Sequence, residues 1–386
     1  MGGGSILHVA DYSSAFASAF IASVLRLEGV VRDRLGLRTV LALPEGARAK
    51  PWLHPIEEAG VVVRFIEKAS SHHSRIRSLS RLGNEWESRI LHTHFGTFDV
   101  DAAVAAKGLE SAAIWHMHSP FTGGATLRHD LGERAKFAIA ARLLAGRIVA
   151  VSPSVADSAV SIGAPASKFV VVLNGIDADR IRPVDATTRG MLRRRNGIAE
   201  EQTAFLLFGW SPVRKGVDIL LRALETLPPS VGTKVVCLIV SGEDNKPTLR
   251  QMAEGIGAVR IVQSVQDVVE LYGAVDCLVS ASRAEGLPYA IGEAMASELI
   301  VISSNLPQVA KVYGPAGSGL LTFSTAEPED LARAMTEVVE CPSKERRLRG
   351  RTNREYIVGH LSLDRWAEEI VAVYRSCLEA RRGAET

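Results

Sequence analysis

A chain of 386 residues exceeds one comfortable hydrophobic core and implies two domains, with the apolar (47%) and charged (23%) fractions of an ordinary soluble globular protein. The 45 lysines and arginines against 43 acidic residues leave a net charge of +2, so no whole-surface field points to nucleic acid as a partner. No uninterrupted apolar stretch is long enough to span a bilayer, which excludes an integral membrane protein.

The chain opens on Met1-Gly2-Gly3-Gly4-Ser5, which has the outline of a myristoylation start, but Ile6 stands where a hydroxyl is required. It reads as a leader, and without a charged region, apolar block and cleavage site the protein is expected not to be exported. Apolar runs then recur at 5–9, 39–43, 61–66, 90–94, 112–116 and 147–151, and helical spacing occupies 15–35 and 131–145. This alternation predicts a parallel, doubly wound α/β sheet with its functional loops at the carboxyl ends of the strands.

Within that half, His92/His94 and His116/His118 form two His-x-His pairs, and alternate residues of a strand share a face. Four imidazoles suit zinc, as in a metal hydrolase, but equally suit hydrogen-bonded core or cleft positions, and no carboxylate motif accompanies them. Asp99 and Asp101 precede an alanine-rich run and read as a helix start. The basic stretch 71–81 and the run Arg193, Arg194, Arg195 read as solvated charge.

After a linker-like segment, 174–183, a second alternation begins, with strands at 204–208, 234–241, 259–262, 277–282 and 299–303 and helices at 214–224, 247–255 and 265–273. This is a second Rossmann-like domain, and the active site is expected between the two. Cys237 and Cys277 fall in its apolar runs as small core residues, while Cys341 and Cys377 complete a set without metal-type spacing. Reduced thiols of this kind suit the cytoplasm. Leu363, Trp366, Ile370, Tyr374 and Leu378 then recur at helical spacing, giving a terminal amphipathic helix that needs a docking surface.

Two loops of the second half carry chemistry. Gly209 and Gly216 bracket a strand-end loop holding Arg214 and Lys215, cations suited to a diphosphate at a helix start. Further on, Glu285-Gly-Leu-Pro-Tyr-Ala-Ile-Gly-Glu-Ala294 runs from a strand through a tight turn at Gly286, with Pro288 at the first helical position and the helix starting near Tyr289. Glu285 and Glu293 then flank one anion site. Carboxylates there repel phosphate but bind sugar hydroxyls, so the combination suggests a nucleotide sugar.

That segment resembles the paired-glutamate signature of retaining glycosyltransferase family 4. Phe208-Gly-Trp-Ser-Pro-Val-Arg-Lys-Gly216 is similar to the family's glycine-to-lysine loop, and Val170-Val-Val-Leu-Asn-Gly-Ile-Asp177 to its interdomain segment. Ile90-Leu-His-Thr-His-Phe95 and Trp115-His-Met-His-Ser-Pro120 resemble bacterial members that build capsular polysaccharides and exopolysaccharides. The resemblance implies the GT-B fold: an acceptor-binding domain over 1–177, a nucleotide-sugar-binding domain over 178–360, and a C-terminal helix, 361–386, crossing back to the first domain. The implied activity is metal-independent transfer of a sugar from a uridine- or guanosine-type nucleoside diphosphate sugar to an acceptor hydroxyl, with retention.

No cofactor is implied, the setting is polysaccharide, glycolipid or glycoconjugate synthesis in the cytoplasm, and peripheral association with the inner membrane face is compatible with it. Carried over residue by residue, His118 (with His116 as the alternative), Lys215 and Glu285 are the catalytic set. Gly209, Arg214, Lys215, Val262, Val265, Gly286, Leu287, Pro288 and Glu293 hold the donor, with Glu293 on the ribose and 262–266 along the base. Asp99-Val-Asp101 matches the metal-binding acids of the other large glycosyltransferase fold only superficially. Two departures stand out: Trp210 occupies the position of the family's arginine, a loss that Arg214 would have to cover, and the turn 11–16 lacks the usual glycine pair. A nucleotide-sugar epimerase on the same fold is the alternative enzyme.

Overall fold

The computed structural model describes residues 4–68, 71–121, 127–263, 267–317 and 319–385. The chain divides into two compact units, Met1–Gly175 with Leu363–Thr386, and Ile176–Ser362.

The first unit is built on a seven-stranded parallel sheet: β1 (Ser5–Ala10), β2 (Arg38–Pro44), β3 (Val62–Ile66), β4 (Ser88–His94), β5 (Ala112–Met117), β6 (Arg147–Ala150) and β7 (Phe169–Val171). Their order is β3-β2-β1-β4-β5-β6-β7, so the winding reverses between β1 and β4. At such a switch point the crossover helices leave on opposite sides and open a crevice at the strand ends. The central strands are almost entirely buried, with Arg89 in β4 exposed and Met117 at the end of β5 partly so, as their nearly unbroken apolar runs require. The short edge strand β7 was not expected; three partly exposed residues give no periodic signal.

The first helix, Ala19–Leu35, starts later than the apolar spacing from 15 suggests because the Ser18 hydroxyl accepts from the Phe20 N–H and fixes the N-terminus there. The expected helix from 131 begins earlier, at Leu127, and is interrupted by a π-helical turn, Lys136–Ala140. The terminal helix, Leu363–Glu385, belongs to this unit. Trp366, Ile370, Tyr374 and Cys377 are buried with Leu27, Val31, Ile114 and Val149, the docking surface its stripe demanded.

The second unit repeats the plan with β8 (Thr203–Phe208), β9 (Val235–Ser241), β10 (Val259–Gln263), β11 (Cys277–Ser280), β12 (Ile300–Ser304) and β13 (Leu320–Phe323), in the order β10-β9-β8-β11-β12-β13. Its switch point lies between β8 and β11. The edge strand β13 went unpredicted, again short and partly exposed. Cys237, Cys277, Cys341 and Cys377 are free and buried. Among the described residues, no helix is long and apolar enough to cross a membrane.

Two readings of solvated charge are corrected. Arg193 is 11% exposed and bonds the Asp276 carboxylate (3.1 Å) and the Ala199 and Gln202 carbonyls (2.7 Å each), tying the helix Ala186–Arg195 to the sheet. Within 71–81, Arg75 donates to the buried Asp101 at 2.5 Å, because a buried carboxylate must be paired.

Candidate active site

In the second unit, β8 delivers its chain to Gly209, where a Cβ would lie 2.9 Å from Ile239 Cγ2. The loop that follows carries Trp210, Arg214 and Lys215 before the helix Val217–Thr226. That helix was expected from 214; it starts after Gly216, whose φ of +69° and close approach to the Ala281 carbonyl oxygen favour glycine and keep the two cations in the loop. A clamp unforeseen in the sequence secures it. Arg283 donates to Asp218 through both Nη atoms (2.9 and 2.7 Å) and to the Val213 carbonyl, while its own N–H bonds the Arg214 carbonyl at 2.9 Å.

The clamp brings the lysine to the glutamate segment, as Lys215 Nζ donates to Glu285 Oε1. The same oxygen accepts from Ser282 Oγ at 2.7 Å, and Arg214 Nη1 stands 3.6 Å from Glu285 Oε2. Lys215 and Glu285 are 14% and 11% exposed, Arg214 47%. Gln308 holds the Glu285 carbonyl at 2.7 Å. Trp210 is exposed, packs at a tilt against Phe208 and lies 5.7 Å from the Lys215 ammonium at its ring centroid.

Pro288 precedes the helix Tyr289–Ala296, and Leu287 is buried. Glu293 sits on the inner face of that helix and accepts from Tyr272 Oη at 2.8 Å. Burial pushes its carboxyl pKa up, against the Tyr272 hydrogen bond and the positive charge of Arg180, and burial raises the Tyr272 phenol as well. Glu285 and Glu293 are therefore engaged separately, one by cations and one by a phenol. Val262 lies in β10, while Val265 falls outside the described residues.

In the first unit, the carboxyl ends of β1, β4 and β5 gather His8, His92, His94, His116 and His118. His8 pairs in register with His92, and His94 with His116, so the imidazoles of adjacent strands come together. His94 Nδ1 and His118 Nε2 share a hydrogen bond of 3.2 Å, and His8 Nδ1 and His94 Nε2 one of 3.1 Å. Tyr374 Oη lies 2.6 Å from His92 Nδ1 and 3.4 Å from His8 Nε2. Burial lowers every one of these pKa values, His8 to about 3, His118 to about 4 and the others well below 6.5. The rings are neutral at pH 7.

His8 escaped notice as a single histidine in an apolar run, and Tyr374 as one of a core stripe; the signal for His8 was its alignment with His92 across the sheet. Beside this cluster lies a pocket of about 450 Å³ lined in part by Phe95, Thr97, His116, His118, Glu133 and Lys136. Asp99 accepts from Thr93 at 2.5 Å and pairs with Lys136 at 2.9 Å, so it serves as a buried counterion as well as opening the helix Asp99–Gly108. The trios His8/His92/His94 and His94/His116/His118 each bring ring nitrogens within 4.8 Å, but several of those nitrogens already bond one another.

Comparison with known proteins agrees in both halves. The model of glycosyltransferase family 4 matches residues 33–180, and that of glycosyl transferases group 1 matches 189–355. Mannosylfructose-phosphate synthase of Agrobacterium fabrum is 26% identical, covering 86% of this chain and 76% of that protein. The lipopolysaccharide glucosyltransferase WaaG of Escherichia coli is 27% identical over 45% of this chain, and a D-inositol 3-phosphate glycosyltransferase of Geodermatophilus obscurus 27% over 62%. The chain spans about half the length of these last two, 47% and 54%. Among solved structures, Anabaena Alr3699/HepE in complex with UDP-glucose superposes with a TM-score of 0.81 at 17% identity, covering 97% of this chain and 100% of that one. WaaG superposes at 0.70 and 16%, covering 95% and 99%. At these identities the superpositions speak to the fold alone, and the tandem family matches supply the rest: the chain is a glycosyltransferase of family 4 with the GT-B fold.

Proposed function

We propose that this glycosyltransferase moves a sugar from a nucleoside diphosphate sugar, of the uridine or guanosine type, to an acceptor hydroxyl with retention of anomeric configuration and without a divalent metal. The observation that carries the reading is the cation loop after β8, where Lys215, with Arg214 nearby, meets Glu285 at low exposure. That a solved relative of the same fold is described in complex with UDP-glucose supports the donor class.

The second unit holds the donor in this reading. An entering diphosphate competes for the Lys215 ammonium, and Glu285, so released, accepts hydrogen bonds from hydroxyls of the sugar. As the bond from the anomeric carbon to the diphosphate oxygen breaks, the electron pair stays with that oxygen, and Lys215 offsets the charge that develops there. Arg214 adds a weaker, more exposed charge. Gly209 admits the diphosphate close to the main chain, Gly286, Leu287 and Pro288 present the backbone of the turn to it, and Glu293, buried against Tyr272, takes the ribose hydroxyls. The segment around Val262 and Val265 is assigned to the base.

The first unit takes the acceptor, with His118 contacting and orienting a sugar hydroxyl. The acceptor hydroxyl oxygen attacks the anomeric carbon from the leaving-group face, which gives retention, and its proton passes to the departing diphosphate oxygen. The product is a polysaccharide, glycolipid or other glycoconjugate made in the cytoplasm.

A screen of uridine, guanosine and adenosine diphosphate sugars by thermal shift and hydrolysis, with chelator present, tests this. One uridine or guanosine donor should stabilise the protein and turn over, giving a product whose anomeric proton coupling matches the donor's. Loss of turnover in chelator, an inverted product, or an isomerised donor released without any acceptor sinks the reading.

A further inference from the structure

The bonded histidines form a continuous line rather than a loose cluster. It runs from His118, which lines the pocket, through His94 and His8 to Tyr374 on the terminal helix and ends at His92. We propose that His94, His8, Tyr374 and His92 are positioning residues that fix the tautomer of His118, so that it offers an Nδ1–H donor to an oxygen of a hydroxyl-bearing substrate. The inference rests on the reading of His118 as a substrate contact.

A neutral imidazole has one N–H and one bare nitrogen, so each ring in the line donates on one side and accepts on the other. Burial keeps the rings neutral, and their centroids lie 4.4–5.5 Å apart, where like charges would repel. The line therefore has only two polarities, and choosing one end sets the other.

The far end decides. His92 Nε2 is buried without a hydrogen-bond partner among the described residues. If it carried the proton, a buried N–H would be orphaned, which folded proteins seldom tolerate; a bare nitrogen there costs less. The proton then sits on His92 Nδ1 and is donated to Tyr374 Oη. Tyr374 donates to His8 Nε2 across the longest link, 3.4 Å. His8 Nδ1–H donates to His94 Nε2, His94 Nδ1–H to His118 Nε2, and His118 is left with Nδ1–H. His116 takes no part in the line; its ring stacks between His92 and His118.

Ring-nitrogen NMR of the ¹⁵N-histidine-labelled full chain at pH 7.5 reads the tautomers directly and needs no variant. His8, His92, His94 and His118 should all appear as Nδ1–H forms; a protonated Nε2 on His118, or a mixture, overturns the proposal. Tyr374→Phe removes one hydroxyl from the line and keeps the ring that fills the core. It should turn the His118 signal into a tautomer mixture and lower kcat about tenfold, the equivalent of one hydrogen bond, with KM little changed. A lowered Tm with the His118 signal and kcat unaltered would make Tyr374 a packing residue only and would overturn the relay. His118→Ala reports separately: full turnover in that variant, with Nδ1–H confirmed on His118 in the parent protein, removes the substrate contact while the tautomer assignment stands.

Discussion

The two units share an architecture and differ in the electrostatics of their strand ends. Where the winding reverses between β1 and β4, the side chains are buried imidazoles that carry no charge; where it reverses between β8 and β11, they are Lys215, Arg214 and Glu285, with Glu293 buried nearby. The sheet decides where a ligand can approach, and the residues decide what it can be. Neutral rings that donate and accept suit hydroxyls. A lysine paired with the Glu285 carboxylate suits an anion able to displace that carboxylate.

Acid should break the contrast first. His8, His92, His94, His116 and His118 are held neutral with folded pKa values below 6.5, so their contribution to stability is present above 6.5 and is lost as pH falls from there toward the folded values. Between pH 7.5 and 5.5 each histidine should cost on the order of 1 kcal/mol, which makes acid the largest perturbation of this sheet. Glu293 has the opposite sign: its raised pKa gives stability that is present below the unfolded value and lost as pH rises through the folded one. Hydrogen exchange at the two pH values should therefore show protection falling in β1, β4 and β5 and holding in β8 and β11. Equal loss in both sheets would contradict it.

Lys215→Ala should give the next largest effect, a fall of about 10² to 10³ in kcat, the usual consequence of removing one preorganised group facing developing charge. Folding should survive, because Ser282 and Arg214 still engage the Glu285 carboxylate. Steady-state turnover with the best donor at saturation measures it. A change confined to KM would mean that Lys215 binds the donor without easing departure of the diphosphate.

How far the sequence disclosed this contrast follows from the range of the interactions. Lys215, Glu285 and Glu293 were legible because a strand, a turn and a helix start lie within a few residues of each, and local chemistry marks such junctions. The terminal helix was legible through its stripe, from Leu363 to Leu378. His8, Tyr374 and Arg283 were not. Tyr374 meets His92 from 282 positions away and Arg283 meets Asp218 from 65, distances over which no periodicity operates. Strands β7 and β13 were missed because runs of three and four residues are too short to show a periodicity, and the start of the helix Val217–Thr226 because a left-handed glycine leaves no trace in apolar spacing.

That glycine supplies a third, smaller test. Gly216→Ala forces a side chain into the left-handed region and against the Ala281 carbonyl oxygen, and should cost about 2 kcal/mol or more in stability. Denaturant melts give the figure. Because the cation loop ends at this residue, donor-induced stabilisation should weaken in the same variant; an unchanged donor response would separate the loop's geometry from its function.

The smallest effect sharpens the comparison most finely, since it asks whether one cation or two define the charged strand end. Arg214 is half-exposed and 3.6 Å from Glu285, so the pair adds little to stability, about 0.5 kcal/mol. Were Arg214 to replace in full the arginine absent at Trp210, its loss would match that of Lys215. Its exposure argues for less: water screens its charge more than that of the less exposed Lys215 ammonium, and Arg214→Ala should lower kcat only severalfold. Raising the salt from 50 to 500 mM should shrink that difference further while leaving the Lys215→Ala deficit nearly intact. Trp210→Arg, placed in the Arg214→Ala background, should restore the lost turnover. Failure to restore it would mean that the two positions address different parts of the donor, and that Trp210, packed against Phe208, has a role of its own.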